Sequence, residues 1–295
     1  MKFFFNLRPA DAVTALFLVC LLLVSLAFYE KIPEVKTLVL IYTVLLLFQV
    51  VIIKTGKLLS RNKAYDMALN VVFPVACVLI VFDSLGLLVH YINPKDIDPL
   101  LIRLDYLIFR GYPTVMLESV QSPLLTDVLQ LAYSSYYFLA VSLGLLLKLQ
   151  GREWEFDKTV FFILLCFYLS YVGYLLFPAL GPRYAMDHLH STELTGLLVA
   201  EPIQRILNSL EGIKRDAFPS GHTGIVLVVS GLAYRFHKGF FYGTLPVILL
   251  LIFSTVYLRY HYTVDVIGGV LLAALTFFIG GKYYDQREKR ISSYN

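Results

Sequence analysis

Apolar residues gather into eight long runs, at about 12–29, 36–53, 67–91, 124–147, 159–178, 218–236, 240–259 and 262–281. Each is close to the roughly 20 residues that a helix needs to cross about 30 Å of hydrocarbon. The runs do not alternate in short segments as the strands of a membrane barrel do. The predicted fold is therefore all-α, a polytopic membrane helical bundle. The stretch "DIDPLLIRLDYLIFRGYPTVMLE" mixes apolar and charged residues at helical intervals, which predicts one or two amphipathic pieces lying in the interface. The first run follows Lys2 and Arg8 like a signal sequence, but it is long and has no small-x-small site after it. It reads as a retained anchor.

Composition agrees: mean hydropathy is +0.71 and 16% of residues are charged, against roughly a quarter in soluble domains. Eight spans place both termini on one side. That face holds residues 1–11, 54–66, 148–158, 235–239 and 282–295, with 15 Lys/Arg against 7 Asp/Glu. The opposite face, loops 30–36, 92–123, 179–217 and 259–265, holds 10 against 12. Short basic loops stay cytoplasmic, so both termini are expected inside. Nothing in this pattern calls for a nucleic-acid partner. Cys20, Cys77 and Cys166 fall inside apolar runs and read as buried small hydrophobes, not as disulfides or a zinc set.

The outer face also holds three polar motifs from distant parts of the chain: "PALGPRY", "FPSGH" and "RYHYTVD". In the second, Pro219 suits a first helical turn, Ser220 can cap, and Gly221 lets backbone approach a ligand. The free N–H groups of a helix start bind anions, and His222 stands over that spot. On its own the tetrapeptide is equally a plain helix cap. In the third motif His261 and Asp265 are four apart, one turn on a helix face. The carboxylate can take the Nδ1 proton, fix the tautomer and leave Nε2 free to attack. A structural His-Asp pair, or a metal site with His222, are the other readings. Arg183 and Arg259 add guanidinium forks that match phosphate oxygens in pairs. Lys214 and Arg215 are further candidates for holding a phosphate, with snorkelling at the interface as their alternative.

These residues resemble the type 2 phosphatidic acid phosphatase superfamily, whose members carry "PSGH" and a later His-x-x-x-Asp. The "GPR" and "HYTVD" forms are similar to the inositol phosphorylceramide synthase-like, inositolphosphotransferase, branch. The resemblance spans about 67–281 and implies a six-span catalytic core, preceded by two extra spans in 1–66 and followed by a cytoplasmic tail, 282–295. It implies His261 as the nucleophile that becomes phosphohistidine, Asp265 as its orienter and His222 as the acid for the leaving group. It also implies that Arg183, Ser220, Gly221 and Arg259 hold the phosphate, with neither metal nor cofactor. Two departures stand out. Leu176 occupies the place of the first motif's Lys, and Ser254-Thr255 replaces the Ser-Arg that opens the third.

The expected activity is cleavage of a lipid phosphoester at the outer leaflet, on the extracytoplasmic side, with the phosphoryl group passed to water or to an alcohol such as inositol or another lipid. A membrane protein that docks an anion without chemistry is the rival of another class. Asp83, Asp127 and His90 are the other ionisable residues in or near spans. The last two read as interfacial and Asp83 as the one to test. Tyr133, Tyr136 and Tyr137 read as helix packing or headgroup-level tyrosines. The Gly pairs 268–269 and 280–281 predict close helix contacts.

Overall fold

The computed structural model describes residues 7–59, 66–210 and 213–292. Among them every regular element is helical. The longer helices are α1 (Pro9–Ala27), α2 (Val35–Leu59), α3 (Phe73–Leu85), α4 (Asp98–Phe109), α5 (Pro123–Ser134), α6 (Tyr136–Leu149), α7 (Glu153–Leu176), α8 (Ala200–Leu210), α9 (Gly221–Phe236), α10 (Lys238–Tyr257) and α11 (Thr263–Ser292). A π-helical turn, Ala68–Val72, runs directly into α3. The expected basic loop 54–66 lies partly outside the described residues, and its first six positions continue α2.

Among the described residues five helices are long and apolar enough to cross a membrane: α1, α2 to Thr55, α7, α10 and α11 to Arg287. The α5–α6 pair makes a sixth if it counts as one broken span, bent by 42°. The eight expected spans are thus not all matched by length. The run 67–91 yields an apolar helix over Leu69–Leu85, followed by a separate turn at Val89–Ile92. The run 218–236 yields the 16 residues of α9, about 24 Å of helix. In α9 ten of those residues are buried among neighbours, so it needs no long lipid-facing surface. The bend between α5 and α6 falls at Ser134-Ser135. Their hydroxyls donate to the carbonyls of Gln130 and Ala132, at 2.8 and 2.6 Å, the type of insertion that kinks a helix.

α7 is the axis of the bundle, packed against α1, α6, α9 and α11. Its polar atoms are tied locally: Tyr168 donates to Thr14 Oγ1 at 3.0 Å and Tyr171 to the Val78 carbonyl at 3.0 Å. The N-terminal pair α1–α2 joins the bundle mainly through α1 on α7. α9 and α11 approach closely, because a Cβ on Gly269 would stand 2.6 Å from the Ser220 carbonyl. Gly268 and Gly280 are likewise crowded, whereas Gly281 faces open space and has no such role. Cys77 and Cys166 are buried, but Cys20 is exposed, on the outer face of α1. α11 continues to Ser292, well into the expected tail, and Arg287 there donates to the Leu7 carbonyl at 3.2 Å.

Candidate active site

Backbone hydrogen bonds draw the three polar motifs together. The Arg183 N–H donates to the Arg259 carbonyl at 2.9 Å, Ala217 to Ala179 at 3.1 Å, and Ser220 to Asp265 at 3.0 Å. Two buried carboxylates on α4 fasten the same loops. Asp98 accepts from the N–H groups of Leu180 and Gly181, at 2.9 Å each, and from the Tyr262 hydroxyl at 2.8 Å. Asp105, two turns further along α4, accepts from Thr263 and Val264 at the start of α11. Carboxylates at a helix N-terminus meet unpaired donors and the positive end of the dipole. Gly181 takes φ +85, and a side chain there would meet the Tyr260 carbonyl. The amphipathic loop expected between 92 and 123 is therefore a clamp on the site.

His222 and His261 face each other, their ring centroids 5.7 Å apart and near edge-on. His261 is buried. Its Nδ1 lies 2.8 Å from the Ala217 carbonyl and 3.5 Å from Asp265 Oδ2. A carbonyl only accepts, so Nδ1 carries a proton, and in the neutral imidazole Nε2 is then the nitrogen with the lone pair. The expected tautomer follows, with Ala217 rather than Asp265 as the nearer partner. The reason is that α11 starts at Thr263, two residues after His261. Asp265 Oδ2, the same oxygen that faces His261, accepts the Tyr262 N–H at 2.8 Å.

His222, in the first turn of α9, lies between the rings of Tyr133 and Tyr136, at centroid distances of 4.4 and 4.2 Å. Its Nε2 is buried without a hydrogen-bond partner. The tyrosines are thus the walls that fix the imidazole. Ser220 caps α9, its Oγ accepting from the Thr223 N–H at 3.3 Å. Pro219 stands before the cap, after a cis peptide bond, and not within the first turn. Gly221 leaves room for the Tyr174 hydroxyl.

A polar cavity of about 30 Å³ separates the histidines, lined also by Arg183, Lys214, Asp216 and Tyr260. One water needs roughly 10–15 Å³ on such a measure, so the space suits one compact anion. Arg183 lies over the Tyr184 and Tyr260 rings, at 4.8 and 5.0 Å. Two expected phosphate ligands are placed elsewhere. Arg215 is buried on Asp96, His90 and the carbonyls of Asn93 and Pro94. Arg259, at φ +63, directs its guanidinium to Glu118, at 2.9 Å, and to the Thr192 carbonyl, at 2.8 Å. Neither lines the cavity. Burial works to raise the Glu118 carboxyl, but bonds from Ser191 and Thr192 and the charge of Arg259 outweigh it and hold it below the usual range.

Asp216 was not singled out by the sequence. It lines the polar cavity and also a second, largely apolar one of about 590 Å³ between α3, α6, α7 and α8. Only Asp216 and His222 belong to both linings. Burial pushes the Asp216 carboxyl up to about 6, with His261 and Arg183 pulling the other way. Asp127, read as a bland interfacial residue, instead accepts from four backbone N–H groups, Leu197 to Ala200, at 2.8–3.2 Å. It thereby anchors the start of α8. Among the described residues no three His, Cys, Asp or Glu side chains cluster as a metal set.

A family model described as the PAP2 superfamily matches residues 101–279, the segment that carries all three motifs. A PA-phosphatase related-family protein of Dictyostelium discoideum is 28% identical over 188 residues. That match covers 56% of this chain and 34% of the Dictyostelium protein, so the chain aligns with about a third of its relative's length. No solved structure matches.

Proposed function

Since the chain belongs to the PAP2 superfamily, we propose that it is a lipid phosphotransferase or phosphatase working through a phosphohistidine on His261. Membership of the superfamily supports an enzyme acting on lipid phosphates. The observation that carries the finer reading is the placement of His222 and His261 on either side of an anion-sized cavity that adjoins a large apolar one.

The phosphate of the substrate sits between the two imidazoles, near Arg183 and the N-terminus of α9. His261 Nε2 attacks phosphorus, the bond from phosphorus to the bridging oxygen breaks, and His222 gives that oxygen a proton as the alcohol leaves. In the second half His222 takes a proton from the acceptor, which attacks the phosphohistidine and frees His261. Water as acceptor gives a phosphatase; an alcohol such as inositol or a lipid hydroxyl gives a head-group transferase, as the inositolphosphotransferase-like motifs suggest. The basic loops support a site on the extracytoplasmic side with both termini in the cytoplasm.

Purified protein incubated with phosphorus-labelled lipid phosphates, with and without candidate alcohols, tests the reading. Free phosphate identifies hydrolysis, and a labelled phosphoester of the added alcohol, water-soluble for inositol and a lipid for a lipid hydroxyl, identifies transfer. A protein that binds the lipids and yields neither product is a docking protein, and the enzymatic reading then fails.

A further inference from the structure

The two histidines of the site are held in different ways. His261 is fixed within the plane of its ring, by the Ala217 carbonyl at 2.8 Å and Asp265 Oδ2 at 3.5 Å. His222 is fixed across its plane, by tyrosine rings at 4.4 and 4.2 Å, and its buried Nε2 has no hydrogen-bond partner. The Tyr133 ring also stacks at 4.3 Å and 14° on Tyr260, the residue just before His261. Arg183 lies 5.0 Å from the centre of the Tyr260 ring. A stacked column therefore runs from Arg183 through Tyr260, Tyr133 and His222 to Tyr136, and it draws on all three polar motifs.

The α5–α6 bend makes room for this column. Tyr133 and Tyr136 are three residues apart, a spacing that on a straight helix puts Cβ atoms about 5–6 Å apart. That leaves little space for a third ring between them. The 42° bend falls at Ser134-Ser135, between the two tyrosines, and splays their rings. An aromatic face attracts a cation within about 6 Å of its centroid, more strongly where water is excluded. Stacking also leaves the N–H groups of an imidazolium unspent, so they can serve first the leaving oxygen and then the acceptor.

We propose that Tyr133 and Tyr136 are positioning residues for the acid step, whose ring faces hold His222 in place and support the positive charge it carries before it gives up its proton. The proposal rests on the phosphohistidine reading and adds what sustains its acid. Around the polar cavity Arg183, Lys214 and a protonated His261 oppose that charge, while Asp216 and, across the apolar cavity, Asp83 favour it. A desolvated aromatic face shifts a protonation equilibrium by up to about thirtyfold, so the loss of one face is large enough to measure.

Benzyl phosphate and p-nitrophenyl phosphate test this with the purified protein. They are similar in size, but benzyl alkoxide needs a proton as it leaves and nitrophenolate does not. Their kcat/KM values report the step in which the alcohol departs, whichever acceptor follows. Tyr133→Leu should lose about ten times more kcat/KM on benzyl phosphate than on p-nitrophenyl phosphate. Tyr136→Leu, on the other face of the imidazole, should do the same, so the test does not hang on the folding of one variant. Phe at either position keeps the face and should recover most of the difference. In a His222→Ala background, Tyr133→Leu should change benzyl phosphate cleavage by less than about twofold, because its effect passes through His222. Equal losses on the two substrates, no loss on either, or an undiminished further loss in the His222→Ala background overturn the proposal. Wild-type protein that cleaves neither substrate, or a His222→Ala variant that does not discriminate between them, faults the catalytic reading on which the proposal rests.

Discussion

At the scale of single residues, the polar cavity is lined by two imidazoles, Arg183, Lys214 and one carboxyl, and that carboxyl gives the cavity a response to pH. Asp216 has its folded-state pKa raised to about 6 by burial. As pH rises from the ordinary carboxylate range through about 6, the unfolded chain loses this proton more readily than the folded one, so stability falls across that window and levels off above it. Ionised Asp216 also places a negative charge beside the bound anion. Asp216→Asn should therefore unfold at a higher temperature than wild type at pH 8 and bind inorganic phosphate more tightly there, with the difference vanishing near pH 4. Thermal unfolding and phosphate inhibition measured across that range check both. His222 and His261 were legible because each sits in a short motif at a helix start, where spacing implies geometry. Asp216 was not, since a carboxylate in an interfacial loop looks solvated and its cavities are built from remote helices. Arg259 misled for another reason: its two-residue separation from His261 says nothing of direction when φ is positive.

At the scale of elements, α4 and α8 are the parts whose work was hardest to read. The amphipathic pattern around α4 predicts an interfacial piece, but its Asp98 and Asp105 act on backbone far along the chain, and the start of α8 is held by Asp127 of α5. Asp98 and Asp105 are seven apart, hence on one face, and this spacing was the available signal. Removing the Asp105 carboxylate leaves the Thr263 and Val264 N–H groups unpaired at the head of α11. Charge-assisted bonds are worth about 1.5–3 kcal/mol each, so Asp105→Ala should lower the unfolding temperature and cut turnover by disturbing His261. Asp105→Asn, which keeps one acceptor, should recover part of both. The α9–α11 crossing is stricter. Gly269→Val puts side-chain atoms where the Ser220 carbonyl lies, and the loss of folded protein in detergent should exceed that for Gly281→Val, which meets open space. The Gly pairs announced close packing in the sequence, but which of the four glycines faces a neighbour depends on the phase of α11.

For the whole molecule, apolar periodicity made the all-helical bundle legible, and the motifs the family. The number of spans was less so, because the short, enclosed α9 and the bent α5–α6 pair do not follow the rule that one long apolar run makes one straight crossing. Sidedness is tested by single cysteines in a variant whose three native cysteines are replaced. Ser191→Cys, in the loop beside Glu118, should react with an impermeant thiol reagent added outside intact cells, and Asp285→Cys on α11 only after lysis. All of this converges on one claim, that a phosphoryl group rests on His261 between two half-reactions. Rapid quenching of the protein with labelled lipid phosphate, followed by peptide mapping, tests it directly. The account predicts an acid-labile, base-stable label on the peptide containing His261, absent from His261→Ala. A label that survives acid, or that persists in His261→Ala, contradicts it.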